Sequence, residues 1–141
     1  SARLVSATAA TLAVTATSHD QKIVVLNRAA GVTVTLPAAT GSGAVFRFTV
    51  GTDISSNSNI IKVADASDVM QGMLTVTDRA DGSTAGFGTV AASDTITLNG
   101  GTTGGLKGGM ITLVDIGADL YAVTGTVVGN GTEATPFSAT V

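Results

Sequence analysis

The sequence predicts a single all-β domain, a β-sandwich or barrel of jelly-roll-like kind, preceded by an extended N-terminal arm. Three observations carry this. Apolar and polar residues alternate at period two along most of the 141 residues, the mark of half-buried strands. Glycine, present 18 times, recurs between the short runs at turn spacing. Threonine fills the polar positions of the runs, where a β-branched side chain suits a pleated surface.

Residues 1–18 carry a β pattern with no obvious hairpin partner, and they read as the arm; residues 19–141 read as the domain. Arg3 followed by small apolar residues and "ATA" loosely mimics a secretory signal, but Ser6, Thr8, Thr11 and Thr15 interrupt the apolar stretch. An extended arm or strand is the better reading. "KIVVL" at 22–26 is apolar on both faces and reads as a central strand, with "NRAAG" at 27–31 as a turn. At 32–36, Val32, Val34 and Leu36 alternate with Thr33 and Thr35. After "PAATGSG", residues 44–50 set Phe46, Phe48 and Val50 opposite Arg47 and Thr49. A polar loop at 52–58 leads to a strand at 59–64, "NIIKVA".

"DASDVMQGML" at 65–74 is the one helical candidate, with Ser67 capping a turn that ends at Gly72. "TDRADGSTAGFG" at 77–88 reads as an exposed, mobile loop, and "DTITLN" at 94–99 as a strand. Residues 110–116 and 119–128 read as a hairpin around Gly117–Ala118, with Gly125 a bulge or bend. "FSATV" closes the chain with Phe137, Ala139 and Val141 on one face.

Composition narrows the function classes. Charged residues make up 12% of the chain and the formal net charge is −3. The seven Lys and Arg are scattered and leave no nucleic-acid footprint. Low charge with positive mean hydropathy argues against disorder. It implies that part of the surface is covered in the working state. Four Phe, one Tyr and no Trp make a modest core filling. Small side chains each remove little area from water at roughly 25 cal/mol per Å². Association with copies of the chain, or with a larger surface, would supply the missing burial. The lack of cysteine excludes disulfides and thiolate chemistry. No run of 18 apolar residues suggests a membrane span.

The polar residues offer little catalytic chemistry. His19 is the only histidine; its neighbour Asp20 would point to the opposite strand face, so His19 reads as a solvent-exposed turn residue. Ser42 sits in "GSG" without the G-x-S-x-G spacing or following helix of a nucleophile elbow. "NGGTTGGLKGG" at 99–109 fails the phosphate-loop pattern at Leu106 and Gly108, on either side of Lys107, and reads as a wide loop between strands. Its Gly100, Gly101, Gly104 and Gly105 would let the backbone of a neighbouring subunit approach closely. The acid pairs Asp65/Asp68, Asp78/Asp81 and Asp115/Asp119 match no calcium-loop pattern. "NGT" at 130–132 fits a glycosylation acceptor but reads as a turn. No catalytic residue, metal ligand or cofactor is assigned.

Four stretches carry a resemblance. "KIVVLNRAAGVTVTLPAATGSGAVFRFTVG" at 22–51, "SNSNIIKVADASDVMQG" at 56–72, "SDTITLNGGTTGG" at 93–105 and "GNGTEATPFSATV" at 129–141 resemble, in order, the capsid decoration (cement) proteins of tailed bacteriophages. The shorter "IVVLN…VTVTLP" piece also resembles β-domains of phage tail fibres and collars. The first resemblance implies a non-enzymatic virion protein made in the bacterial cytoplasm. It would sit on the outer surface of the icosahedral head as a homotrimer at three-fold and pseudo-three-fold positions, bridging subunits of the major capsid protein, with no nucleic-acid or membrane partner. The arm would then lie on the shell and add a strand to a neighbour's edge, with Arg3, Leu4, Val5, Leu12 and Val14 making contact. The alternative is a tail-fibre, collar or receptor-binding β-domain.

Overall fold

The structure, a computed structural model, describes residues 3–141. Among them run twelve strands and one helical turn. In chain order these are β1 (Leu4–Ala7), β2 (Thr11–Ala13), α1 (Ala16–His19), β3 (Lys22–Leu26), β4 (Thr33–Thr35), β5 (Val45–Val50) and β6 (Asn59–Lys62), followed by β7 (Val69–Asp78), β8 (Thr84–Gly88), β9 (Thr95–Leu98), β10 (Leu106–Gly117), β11 (Leu120–Gly129) and β12 (Phe137–Ser138). They form a seven-stranded sheet, β1-β3-β5-β10-β11-β7-β8, and a five-stranded sheet, β12-β9-β6-β4-β2. The inward faces meet in one core that includes Leu26, Phe46, Phe48, Ile61, Leu74 and Leu113. The chain is an all-β sandwich.

The first six strands alternate between the sheets. β1, β3 and β5 lie parallel in one, and β2, β4 and β6 lie parallel in the other. The chain thus winds as a flattened coil of three rungs. Each crossover brings it back in the same direction, which parallel pairing requires. This departs from a jelly roll, which is an antiparallel arrangement. Five of the ten strand pairings here are parallel. The two alternating runs at 32–36 and 44–50 accordingly lie in opposite sheets and feed the same core.

The extended arm expected over residues 1–18 is not seen in the described part. Leu4–Ala7 pairs with β3 and Thr11–Ala13 pairs with β4, so the segment forms an edge of each sheet within its own chain. Val14 is 3% exposed, and its N–H donates to Thr35 O at 2.9 Å. Thr15 then caps α1, its hydroxyl accepting from Ser18 N.

Two further expectations are corrected. Residues 65–74 form no helix: Asp65–Asp68 make a turn and β7 begins at Val69. Gly72 is a strand residue at φ +147°, where a Cβ would lie 1.9 Å from Val123 O on β11. Close passage of two backbones demands the glycine, which in sequence imitates a helix stop. Residues 77–88 are the end of β7, a tight turn and β8, which pairs antiparallel with β7. The β10–β11 hairpin is present, and it joins the coil to this β7–β8 unit. At Gly125 (φ +146°) the ladder keeps its register; the glycine serves a close approach to Met110 O.

Candidate functional site

Four aspartates sit where an inward-facing apolar row runs out. Asp68 precedes Met70, Asp78 follows Leu74 and Val76, Asp94 precedes Ile96 and Leu98, and Asp115 follows Ile111 and Leu113. All four lie between 1% and 7% exposed. A carboxylate so placed needs donors in place of water, and loops supply them.

Asp115 is the most fully bound. Thr40 N donates to its two oxygens at 3.1 and 3.0 Å, Gly41 N donates at 2.6 Å and Ser42 Oγ at 2.8 Å. Burial works to raise its pKa, but these donors outweigh that and hold the carboxyl below its ordinary value. Nearby, Ala39 N donates to Asp68 Oδ2 at 3.2 Å. There burial dominates and pushes the carboxyl up, with Asp119 and Asp65 acting in the same sense. Tyr121 Oη donates to Pro37 O at 2.5 Å. Burial, and then the nearby charges of Asp115 and Asp68, push this phenol well above its ordinary value. The loop from Pro37 to Ser42 is therefore fastened at three levels, by groups flanking or within β7, β10 and β11.

The other two aspartates repeat the device. Asp78 accepts from Ala80 N at 2.8 Å and Gly131 N at 3.2 Å. Asp94 accepts from Thr95 Oγ1 at 2.8 Å and from Thr140 N at 2.9 Å, tying down the last residues. At the surface, Asp53 accepts from Lys107 N at 2.7 Å and pairs with Arg79 at 3.2 Å. Asp65 and Asp81 close local turns by accepting from Ser67 N and Ser83 N. The acid pairs read from the sequence thus divide between loop fastening and turns. Among the described residues no three His, Cys, Asp or Glu side chains converge on a point that could hold a metal ion. No helix among them is long and apolar enough to cross a membrane.

Other residues named from the sequence fall into place differently. His19 is not a solvent-exposed turn residue: it is 8% exposed, and its Nδ1 accepts from Thr15 N at 3.0 Å, closing α1. Ser42 spends its hydroxyl on Asp115 and accepts from Ala44 N at 3.2 Å. The loop at 99–109 is a compact turn; Gly101 bridges Gly104, and β10 starts at Leu106. The close approaches of Gly100, Gly104 and Gly105 are to Ile54, Val127 and Gly100 of the same chain, and Gly101 O lies 2.2 Å from where a Cβ on Gly129 would stand. Of the five arm residues, Val14 is in the core, and Val5 and Leu12 pack against it. Arg3 and Leu4 remain on the surface.

Two surface features complete the picture. An open groove of about 500 Å³ at one end of the sandwich is lined by Ser55, Ser56, Asn57, Asn99, Thr102 and Asn130 among others. The outer face of the seven-stranded sheet carries Ile23, Val25, Val45, Val114 and Ala122, all half-buried, with Arg47 among them. The sequence could have pointed to the buried aspartates, because Asp115 continues the inward alternation of Ile111 and Leu113. Asp115's loop partners lie 73 to 75 residues away, and Ala39, Gly131 and Thr140 lie 29 to 53 residues from the aspartates they serve, so they leave no local signal. No protein family, curated protein or solved structure matches this chain.

Proposed function

We propose that the chain is a virion structural protein. In this reading it binds the outer surface of a bacteriophage icosahedral head and stabilises it by bridging major-capsid subunits, as a homotrimer at three-fold and pseudo-three-fold positions. It is made in the host cytoplasm and performs no catalysis. The observation that carries the reading is the use made of the acidic groups. Asp68, Asp78, Asp94 and Asp115 direct their oxygens into backbone N–H groups of loops. The side chains able to do chemistry are spent on making the ends of the sandwich rigid. Rigidity suits a clamp: a rigid module loses less conformational freedom on binding and keeps more of its contact energy. Binding the assembled shell and not its separated subunits would stabilise the shell by mass action. The four stretches that resemble decoration proteins support the same reading.

The test is the protein's place and copy number on purified virions, by immunolabelling or cryo-electron microscopy. Hundreds of copies spread over the head are expected; a handful at one vertex or along the tail would overturn the proposal. The second reading, a tail-fibre, collar or receptor-binding β-domain, is favoured by the groove of amides and hydroxyls around Asn57, Asn99 and Asn130. Such neutral donors and acceptors suit a glycan. Labelling of the tail, with binding to host cell surfaces, would support it.

A further inference from the structure

The two outer faces of the sandwich differ. On the five-stranded sheet, Thr11, Thr33, Thr35, Lys62 and Thr97 face outward around one large apolar side chain, Ile60, a mostly polar β surface. On the seven-stranded sheet, one row crosses five strands in register as Leu4, Ile23, Arg47, Thr112 and Thr124. A second row runs Val45, Val114, Ala122 and Gln71. A third is made of Met110, Thr126, Thr75 and Gly86. Leu4 is 59% exposed and Met73, beside the last strand, 48%.

Arg47 is the one charged residue in these rows. It is half-buried between Ile23 and Thr112, and it makes no ion pair among the described residues, where the single pair is Arg79 with Asp53. Asp20, at the end of the face, already accepts from Val45 N at 2.7 Å. Lys62 on the other face is likewise half-buried without an ion pair among the described residues, so what sets Arg47 apart is its setting, a guanidinium in register with Ile23 and beside the row of Val45 and Val114. That setting is common in the core of an interface, where arginine is enriched while other charges are depleted.

We propose that the outer face of the seven-stranded sheet is a protein-docking surface whose partner presents an apolar patch and a carboxylate to Arg47. The partner is a subunit of the shell; in that respect the inference rests on the head-decoration reading. A second copy meeting this face with its own is disfavoured, because the rows offer Arg47 no carboxylate; a second copy meeting it with a different face, as a trimer would, is the outcome that the sedimentation of Arg47→Glu decides. Seven strands about 4.8 Å apart and three rows about 6.7 Å apart span on the order of 650 Å². That approaches the roughly 800 Å² that each side of a standard protein–protein interface contributes.

The test uses heads purified without the decoration protein, to which wild-type and variant chains are added and occupancy is titrated. Arg47→Glu should weaken binding by at least about 30-fold, as expected when one member of a desolvated charge pair is reversed. Arg47→Lys should stay within about 10-fold of wild type, and Lys62→Glu, the same reversal on the other face, within about 3-fold. Circular dichroism and melting curves establish that each variant is folded. Thr124→Arg, on an exposed position of the same row, blocks the face without touching Arg47 and should also abolish binding. Wild-type affinity in both Arg47→Glu and Thr124→Arg would overturn the docking face while leaving head decoration intact. Failure of the wild-type chain to bind heads would overturn the function as well. If the wild type sediments as an oligomer that Arg47→Glu dissociates, the occupant is a second copy and the assignment to the shell is wrong.

Discussion

Asp115→Asn is the sharpest probe of the loop fastening. The side chain keeps its shape and one acceptor oxygen, but an NH₂ group replaces the other oxygen and the charge is lost. In the native chain Thr40 N, Gly41 N and Ser42 Oγ all donate to this carboxylate, at 2.6 to 3.1 Å. A hydrogen bond to a charged group contributes roughly 1.5–3 kcal/mol, and a buried donor left without an acceptor costs about 1–3 kcal/mol. The amide can serve one or two of the three donors, so the loss should be about 3 kcal/mol. With a urea slope of roughly 1.5 kcal/mol per M, the midpoint should fall by about 2 M. The pH dependence gives an independent check. The native carboxyl titrates below its ordinary value of 3.8. Its contribution is complete at neutral pH and is lost as pH falls through that lowered value. The stability gap between wild type and variant should therefore be constant near neutrality and close in acid. Urea melts across that range measure it. A midpoint shift under about 0.3 M at neutral pH, or a gap that persists in acid, would refute the fastening argument.

Three other outcomes follow from the same geometry. Gly125→Ala puts a Cβ 2.0 Å from Met110 O at φ +146° and should cost at least about 3 kcal/mol, whereas Gly43→Ala, with nothing within 4 Å, should cost about 1 kcal/mol from its positive φ alone; urea melts that rank them equally would contradict this. Tyr121 is the only tyrosine, so phenolate absorbance reports it alone. Because its folded pKa is raised above 10, stability should fall as pH rises beyond 10, and the phenolate should appear together with unfolding; ionisation at the ordinary pKa in the folded chain would count against its buried bond to Pro37 O. Tyr121→Phe should cost about 1 kcal/mol and loosen the loop from Pro37 to Ser42, seen as faster amide exchange at Thr40 and Gly41.

Strands whose two faces differ were legible from the chain alone. Val45–Val50, Asn59–Lys62, Thr95–Leu98 and the β10–β11 hairpin follow from period two and turn glycines, while Lys22–Leu26, apolar on both faces, was legible as a β-branched run ahead of a turn. What hid β7 was Gly72: a glycine needed for backbone approach to Val123 O, four residues after the Ser67–Asp68 turn, has the profile of a helix stop. β8, "TAGFG", is too rich in glycine to show an alternation, and its partner β7 supplies the order. Periodicity fixes which residues face inward but not which sheet they join, so the coil of β1 to β6 was not visible. The loop-fastening aspartates were half-legible. Their inward register could be read, but donors such as Thr40 and Gly131 come from distant turns. Arg47 was legible as outward-facing on its strand; that its neighbours across the sheet are Ile23 and Thr112 depends on register alone.

The place of β11 has a consequence for synthesis. Among the described residues it is the only strand that connects the β1-β3-β5-β10 half of the large sheet to the β7–β8 hairpin. On the ribosome, at about 5–20 residues per second, β7 and β8 are made several seconds before β11 exists. During that interval the hairpin has a bare parallel edge, from Val69 to Asp78, with no partner yet synthesised. The chain is thus most exposed to strand-swapping with another nascent copy just before residue 129 emerges, and slowing elongation between β8 and β11 should lower its soluble yield.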